Sequence, residues 1–317
     1  MRARPTHAGP TLAAGLRAAR TLGSKERPIA GDLLLGLIRH ERALARVDPD
    51  PLRAWLKLAE EGPPDLEDPP DAYAVALSVP DALAREWWGR LGEPAAIDLA
   101  KRIAGRAPVA LRVLREPVTL DIPHRRVGDR AIVLEARTNV NLLPAWQEGR
   151  VEVQDLGSQA IVDFMRVKPG DRVMDLCAGA GGKSLALAAM GARVRAWDIR
   201  PAALDELRKR ADRAGLRIDI GPPRGHYDIA LVDAPCSGTG VLRRHPENRW
   251  KLHSPTDVQE RLLRDATRIA PRVVYATCAL TLAENEHLVR AVGEPTREET
   301  VWPDELREGF FMAEIAG

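Results

Sequence analysis

Two cysteines stand where a packed thiol has little reason to be. Cys236 lies in VDAPCSGTG (232–240) and Cys278 ends YATC (275–278), each closing an apolar run that reads as a strand. A free cysteine is usually a small core hydrophobe. These two are instead set among Pro, Ser and Thr, where a thiol is available as a nucleophile. If the two strands are neighbours, both thiols and Asp233 converge over one sheet edge. A third feature belongs with them. RVMDL (172–176) is followed by Gly179-Ala180-Gly181-Gly182-Lys183-Ser184 and then by the helical LALAAMGA. A strand, a glycine turn and a helix bring backbone N–H groups close to the polar oxygens of a ligand. Asp198 closes RVRAWD (193–198), and 198 − 179 places it 19 residues past the first glycine. An acid about 20 residues on is the one that grips ribose hydroxyls in nucleotide-binding folds. Cys177 sits inside the glycine turn, where it packs or lends its backbone.

The loop alone leaves other nucleotide classes open. A triphosphate-binding loop needs GxxxxGK[ST], and CAGAGGKS carries Cys177 where the first glycine belongs, although VDAP imitates the acid of its second motif. A nicotinamide site prefers GxGxxG or GxGxxA, and Ser184 holds the last position.

The elements that must carry these residues alternate. RVMDL, RVRAWD, YDIALVDAPCSG (227–238) and RVVYATC (272–278) read as strands, with helices at PAALDELRKRADRAG (201–215) and 256–269 between them. Runs of Val, Ile and Leu alternating with helices imply an α/β fold, a doubly wound and mostly parallel sheet over about 146–317. Ligands in such a fold sit at the C-terminal strand ends, where Asp175, Asp198, Asp233 and Cys278 fall. Ahead of it, 72–145 reads as a small α+β module, helical to about 105 and then β-like at ALRVL (110–114), PVTLDI (117–122) and AIVLEA (131–136). Residues 12–59 read as helical within a short N-terminal region, 1–59. The acidic, proline-rich EEGPPDLEDPPD between them is a linker, 60–71.

Composition bounds the function. With 47 Lys and Arg against 45 Asp and Glu among 317 residues, the net charge of +2 excludes nucleic-acid binding by bulk charge, so any such site is a local basic patch. No run of 18 or so apolar residues predicts a membrane span. Three scattered cysteines make no disulfide framework, and without a CxxC or HxxxH pair no metal site is expected. A reducing cytoplasm is the expected compartment, and a monomer the expected state.

DLCAGAGGK, AWD, VDAPCSGTG and ATC, in that order, resemble the RNA 5-methylcytosine methyltransferases of the RsmB/Nop2/Sun family. VEVQDLGSQAIVDFM (151–165) and GFFMAEI (309–315) are similar to that family's flanking segments, and 72–145 looks more loosely like its small RNA-contacting module. The resemblance implies a Rossmann-like class I methyltransferase domain that uses S-adenosylmethionine. It implies that Cys278 attacks carbon 6 of a cytosine, that Asp233 hydrogen-bonds the base near ring nitrogen 3, and that Cys236 assists release. Cys177, Ala178, Gly179, Ala180, Gly181, Gly182, Lys183, Asp198 and Asp233 would hold the cofactor. The substrate implied is RNA, with ribosomal RNA the kind expected.

VLRRHPENRWKLHSP (241–255) follows the Pro-Cys motif, and Arg243, Arg244, Arg249 and Lys251 are its candidates to grip phosphates. Some features depart from the family. LRIDIGPPRGHYD (216–228) lacks the acid that contacts adenosine, Asp219 being out of step; Ala180 replaces a common proline; and the N-terminal region is too short for a full helical RNA-binding domain. These departures leave a competing reading, a non-catalytic RNA-binding or assembly protein that has kept the fold.

Overall fold

A computed structural model describes residues 23, 26–47, 49–51, 53, 54, 57, 71–250 and 254–317. The basic N-terminal stretch read as helix up to residue 22, and the linker 60–70, lie outside the described residues. So does Lys251. The chain divides into two compact units, residues 1–106 with 237–253, and residues 107–236 with 254–317. These bounds differ from the sequence reading. The expected module at 72–145 is divided, its helices in the first unit and its strands in the second, and the segment after Cys236 returns to the first.

In the first unit, α1 (Glu26–Arg39), α2 (Glu41–Val47), α3 (Asp71–Leu77), α4 (Asp81–Leu91) and α5 (Glu93–Ala104) pack with a 3-10 turn at Pro246–Trp250. The Pro-initiated start and amphipathic spacing of α5 bury Ala96, Leu99 and Ile103 on one face. Trp87 is fully buried, and Trp88 meets Tyr73 edge-on at 5.4 Å between ring centroids, so these aromatics serve the core. The Arg249 guanidinium donates to the carbonyls of Ile38 (3.2 Å) and Arg39, oxygens that the end of α1 leaves without helical partners. Arg39 in turn donates to the Arg243 carbonyl at 2.9 Å. Burial, then the neighbouring Arg39, pushes Arg249 down to about 9. Burial, then Arg249 and Arg39, lowers His40 to about 4, leaving it neutral at pH 7.

The second unit holds two sheets. The smaller is antiparallel, in the order β2-β3-β1-β4, with β1 (Val109–Val113), β2 (His124–Val127), β3 (Ala131–Leu134) and β4 (Val151–Val153). A short helix α6 (Pro144–Gln147) closes over it, and Leu111, Val113, Ile132, Leu134 and Val151 form its core. PVTLDI is not a strand. Its Leu120 is buried, with Val118 and Ile122 packed against the same core, so these apolar residues serve packing and make no ladder. The β2 strand falls instead on the polar HRRV that follows.

Helix α7 (Leu156–Phe164), N-capped by the Asp155 carboxylate on the Gly157 amide, leads into the larger sheet. Its seven strands run β10-β11-β9-β8-β5-β6-β7. In chain order these are β5 (Arg172–Asp175), β6 (Arg193–Ala196), β7 (Asp219–Ile220), β8 (Ile229–Asp233), β9 (Arg272–Thr277), β10 (Pro295–Val301) and β11 (Phe310–Ala316). β5 to β9 are parallel; β11 returns antiparallel beside β9, with β10 outside it. Helices α8 (Gly182–Ala189), α9 (Pro201–Ala214), α10 (Thr256–Thr267) and α11 (Glu286–Val292) join them. The chain runs outward from β5 to β7 and then comes back to β8 on the other side of β5. The β5/β8 boundary is therefore the switch point, where a crevice opens at the C-terminal strand ends. Among the described residues no helix is long and apolar enough to cross a membrane.

Candidate active site

The crevice is built by three turns at the ends of β5, β8 and β9. After β5 the glycine loop runs into α8. Gly179 (φ +54°) and Gly181 (φ +85°) both take the left-handed region that only glycine enters at no steric cost. A Cβ on Gly181 would drive into Leu207 of α9, so this turn also depends on close packing against that helix. Arg210 on α9 donates to the Ala180 carbonyl at 2.7 Å while its other nitrogens bind Glu152 of β4, the nearer at 2.8 Å. Arg213 also pairs with Glu152. Glu152 is almost wholly buried, which two guanidinium partners make tolerable. This support is not legible in the sequence, because nothing in VEV or in a helical arginine marks a reach of 58 residues along the chain.

Asp198, just past β6, accepts from the Gly179 amide at 2.8 Å and from the Arg200 amide and side chain at 2.9–3.0 Å. Burial opposes its charge, but these hydrogen bonds outweigh it and hold the carboxyl below the usual range. Asp175 at the end of β5 is fully buried and accepts from the Ser184 hydroxyl at 2.6 Å. Burial raises it to about 6, with the Asp233 charge adding and the Ser184 bond and Lys183 opposing.

That shift sets a pH dependence. The folded chain binds a proton at Asp175 that the unfolded chain has already released, so stability falls as pH rises from about 4 to about 6. Above that window the charged, buried form costs about 3 kcal/mol. The stability of Asp175→Asn relative to the parent is therefore expected to climb by that amount between pH 4 and 7. Urea melts at the two pH values measure it, and an unchanged difference would refute the shift.

The two thiol turns are neighbours, as the strand reading requires. In the β8/β9 register Asp233 lies opposite Ala276. Beyond them, Cys236 Sγ and Cys278 Sγ come within 3.3 Å of each other, both half-buried. Lys183 Nζ meets Asp233 Oδ2 at 2.5 Å, tying the glycine loop to the same edge. Burial opposes the Lys183 charge, but Asp233 more than compensates and raises it, so the ammonium persists at any physiological pH. Cys177 behaves differently: burial, then the carboxylates of Asp175, Asp233 and Asp198, push its thiol strongly upward. It stays protonated, a poor nucleophile.

A buried polar cluster sets the spacing of the turns. Gln259 of α10 donates from Nε2 to the Pro235 carbonyl (2.8 Å) and to Glu284 (3.1 Å), joining the residue before Cys236 to the loop after Cys278. Glu284 also accepts from Thr281 at 3.0 Å, and its carbonyl from Tyr275 of β9 at 2.8 Å. Asn285 bridges Thr277 (2.6 Å) and the Ala279 carbonyl (2.9 Å). None of these was legible as functional, because Gln259 reads as an ordinary polar helix position.

The basic segment after Cys236 is not the exposed grip expected from sequence. Arg243 and Arg249 are buried in the first unit, and Arg249 spends its guanidinium on backbone carbonyls; a buried side chain so engaged cannot meet a phosphate. Arg244 is half-buried. Asp219 is engaged elsewhere, bound by Arg195 and by Arg224 (2.9 Å). Among the described residues, no three His, Cys, Asp or Glu side chains are grouped to hold a metal ion.

Strand order, switch point and glycine turn together are those of a Rossmann-like class I methyltransferase. A methyltransferase homolog protein from Pyrococcus horikoshii shares the fold, with a TM-score of 0.65 at 22% identity over 77% of this chain and 97% of that one. NSun6 from the same organism, crystallised with SFG, has a TM-score of 0.61 at 15% identity over 75% of this chain and 98% of that one. Residues 162–309 match the family model described as 16S rRNA methyltransferase RsmB/F. Curated relatives agree. Ribosomal RNA small subunit methyltransferase B of Citrobacter koseri is 32% identical over 213 residues, 60% of this chain and 49% of that protein. Its namesake in Salmonella arizonae is 33% identical over 258 residues, 66% of this chain and 60% of that protein. The chain thus spans about half to three-fifths of the length of these relatives.

Proposed function

We propose that the chain transfers a methyl group from S-adenosylmethionine to carbon 5 of a cytosine in RNA, with ribosomal RNA as the substrate. The observation that carries this reading is the pair of thiols 3.3 Å apart at adjacent strand ends, beside the Lys183–Asp233 pair. The residues present suit the cofactor. Gly179 at positive φ carries no side chain over the loop, and an ionised Asp198 at the next strand end would take ribose hydroxyls in exchange for its exposed Arg200 side-chain partner. Residues 177–183, with Asp198 toward the ribose, would hold S-adenosylmethionine, which would supply an electrophilic methyl group.

Carbon 5 of cytosine is a poor nucleophile, and the protein's task is to activate it. The Cys278 thiolate adds to carbon 6, and the ring electron pair moves toward nitrogen 3, leaving an enamine whose carbon 5 is nucleophilic. The Asp233 carboxylate accepts from the cytosine amino group beside nitrogen 3, and the Lys183 ammonium paired with it offsets the negative charge that develops on the ring there. After methylation, Cys236 assists loss of the carbon 5 proton. The electron pair left behind reforms the 5,6 double bond and expels Cys278 as thiolate. Only an unstacked base exposes carbon 6 to a sulfur, so the target lies in a loop or is flipped from its helix. Free thiols of this kind suit a reducing cytoplasm.

Bisulfite sequencing of RNA from cells with and without the gene tests the reading. One or a few protected cytosines in ribosomal RNA are expected to become convertible on deletion. No change, together with no calorimetric binding of S-adenosylmethionine at millimolar concentration, would favour a non-catalytic scaffold.

A further inference from the structure

The second unit contains a concavity of about 940 Å³ away from the thiols, and arginine dominates its lining. Six arginines line it, Arg172, Arg193, Arg195, Arg208, Arg217 and Arg224, against the acids Asp212 and Asp219. Asp219 is already shared by Arg195 and Arg224. Arg172 pairs with Asp228 at 2.9 Å and Arg208 with Asp205 at 2.7 Å. Arg193 and Arg217 are exposed, and among the described residues no carboxylate pairs with either. Even with the neighbouring acids counted, the concavity is net positive in a chain that is almost neutral as a whole.

Two features show that this charge has a structural cost. Arg172 and Arg193 are partners in the parallel β5/β6 register, a like-charge neighbour pair only partly offset by the Arg172–Asp228 salt bridge. Arg195 lies nearly buried at the base, its Nε bonded to the Pro222 carbonyl at 2.8 Å. Charges held against local cost tend to mark function. Arg172 and Arg193 open their strands, whereas the glycine loop and Asp198 follow the far ends, so the concavity is about 10 Å along the strands from the crevice.

We propose that this concavity is a second RNA contact, gripping the sugar–phosphate backbone of the substrate at a distance from the target cytosine. The inference rests on the RNA reading above. The chemistry fits a strand better than a lone anion. Phosphates recur regularly along a nucleic-acid strand, and arginines spread over several elements can meet successive ones. Arginine also forms paired hydrogen bonds to phosphate oxygens that lysine cannot. The contact takes the place of the exposed grip that the buried Arg243 and Arg249 do not provide.

The full-length double variant Arg193→Glu/Arg217→Glu tests it, with a small-subunit ribosomal RNA transcript titrated at 50–200 mM salt. Expected are at least ~10-fold weaker binding, a salt slope shallower by about 2, and a higher KM for RNA with kcat unchanged. A short hairpin carrying only the target loop should bind both proteins alike, and S-adenosylmethionine binding and the thermal melt should not move. Unchanged RNA affinity and slope would overturn the proposal, as would competition by millimolar pyrophosphate that removes all the difference, which would indicate a site for free anions. If charge reversal unfolds the chain, Arg193→Gln/Arg217→Gln carries the same test with a several-fold loss. Absence of methyl transfer by the parent protein would strike the catalytic reading and leave this binding comparison intact.

Discussion

Replacing Cys278 with serine is expected to abolish covalent attachment to RNA, whereas replacing Cys236 is expected to make attachment accumulate. The two sulfurs are 3.3 Å apart, so geometry alone does not tell them apart; their assigned roles do. A hydroxyl at position 278 is a far weaker nucleophile than a thiolate, and without addition to carbon 6 the ring is never activated. Methyl transfer should drop by at least ~10⁴-fold. Without Cys236, addition and methylation proceed but loss of the carbon 5 proton slows, and enzyme–RNA adduct persists on denaturing gels. RNA carrying 5-fluorocytosine sharpens the comparison, because fluorine cannot leave as a proton and traps any adduct formed. Equal loss of attachment in both variants would reject the division of labour. Attachment that survives only through Cys236 would reverse it.

The second large effect is expected at Lys183. Its ammonium is the close partner of Asp233, and its side chain is 11% exposed. Lys183→Met leaves the Asp233 carboxylate without its cation and removes a charge that opposes the rise in Asp175. Breaking a largely buried pair from one side costs about 3–5 kcal/mol. Turnover should also fall ~10²–10³-fold, the scale seen when a preorganised charge at a reacting centre is lost. The double variant Lys183→Met/Asp233→Asn separates the two effects. It should recover most of the stability, since no unpaired charge remains, and recover none of the rate. Recovery of both would mean that the pair has only a structural part. Denaturant melts and single-turnover assays give the two readings.

The parallel half of the large sheet was legible because its strands are short runs of Val, Ile, Leu and Ala that end in chemistry-bearing residues. Arg272–Thr277 and Ile229–Asp233 fall within the stretches expected, and Pro201–Ala214 differs from its helical reading by one residue. β10 was not legible. PTREETV is polar, lies at the sheet edge and pairs with β11, so no alternation of apolar and polar residues marks it in the sequence. PVTLDI failed for the opposite reason, since it is apolar without being a strand. In the site, spacing brought Cys236, Cys278, Asp233 and the glycine loop to one edge, but burial could not be read from a string of arginines. Arg243 and Arg249 look like a phosphate grip in VLRRHPENRW and differ from one only in three dimensions. Glu152, Arg210, Gln259 and Glu284 support the site through contacts far apart in sequence, which local pattern cannot report.

The chain passes between its two compact units at 106/107, 236/237 and 253/254. No single cut can therefore release an intact catalytic half. A fragment beginning at residue 107 would still carry 237–253, stripped of the α1 carbonyls that satisfy Arg249 and left with a buried cation facing solvent or aggregating partners. Domain-swap chimaeras with longer relatives need to exchange that 17-residue insert along with the N-terminal helices. Homologous recombination at one junction would be expected to yield insoluble hybrids.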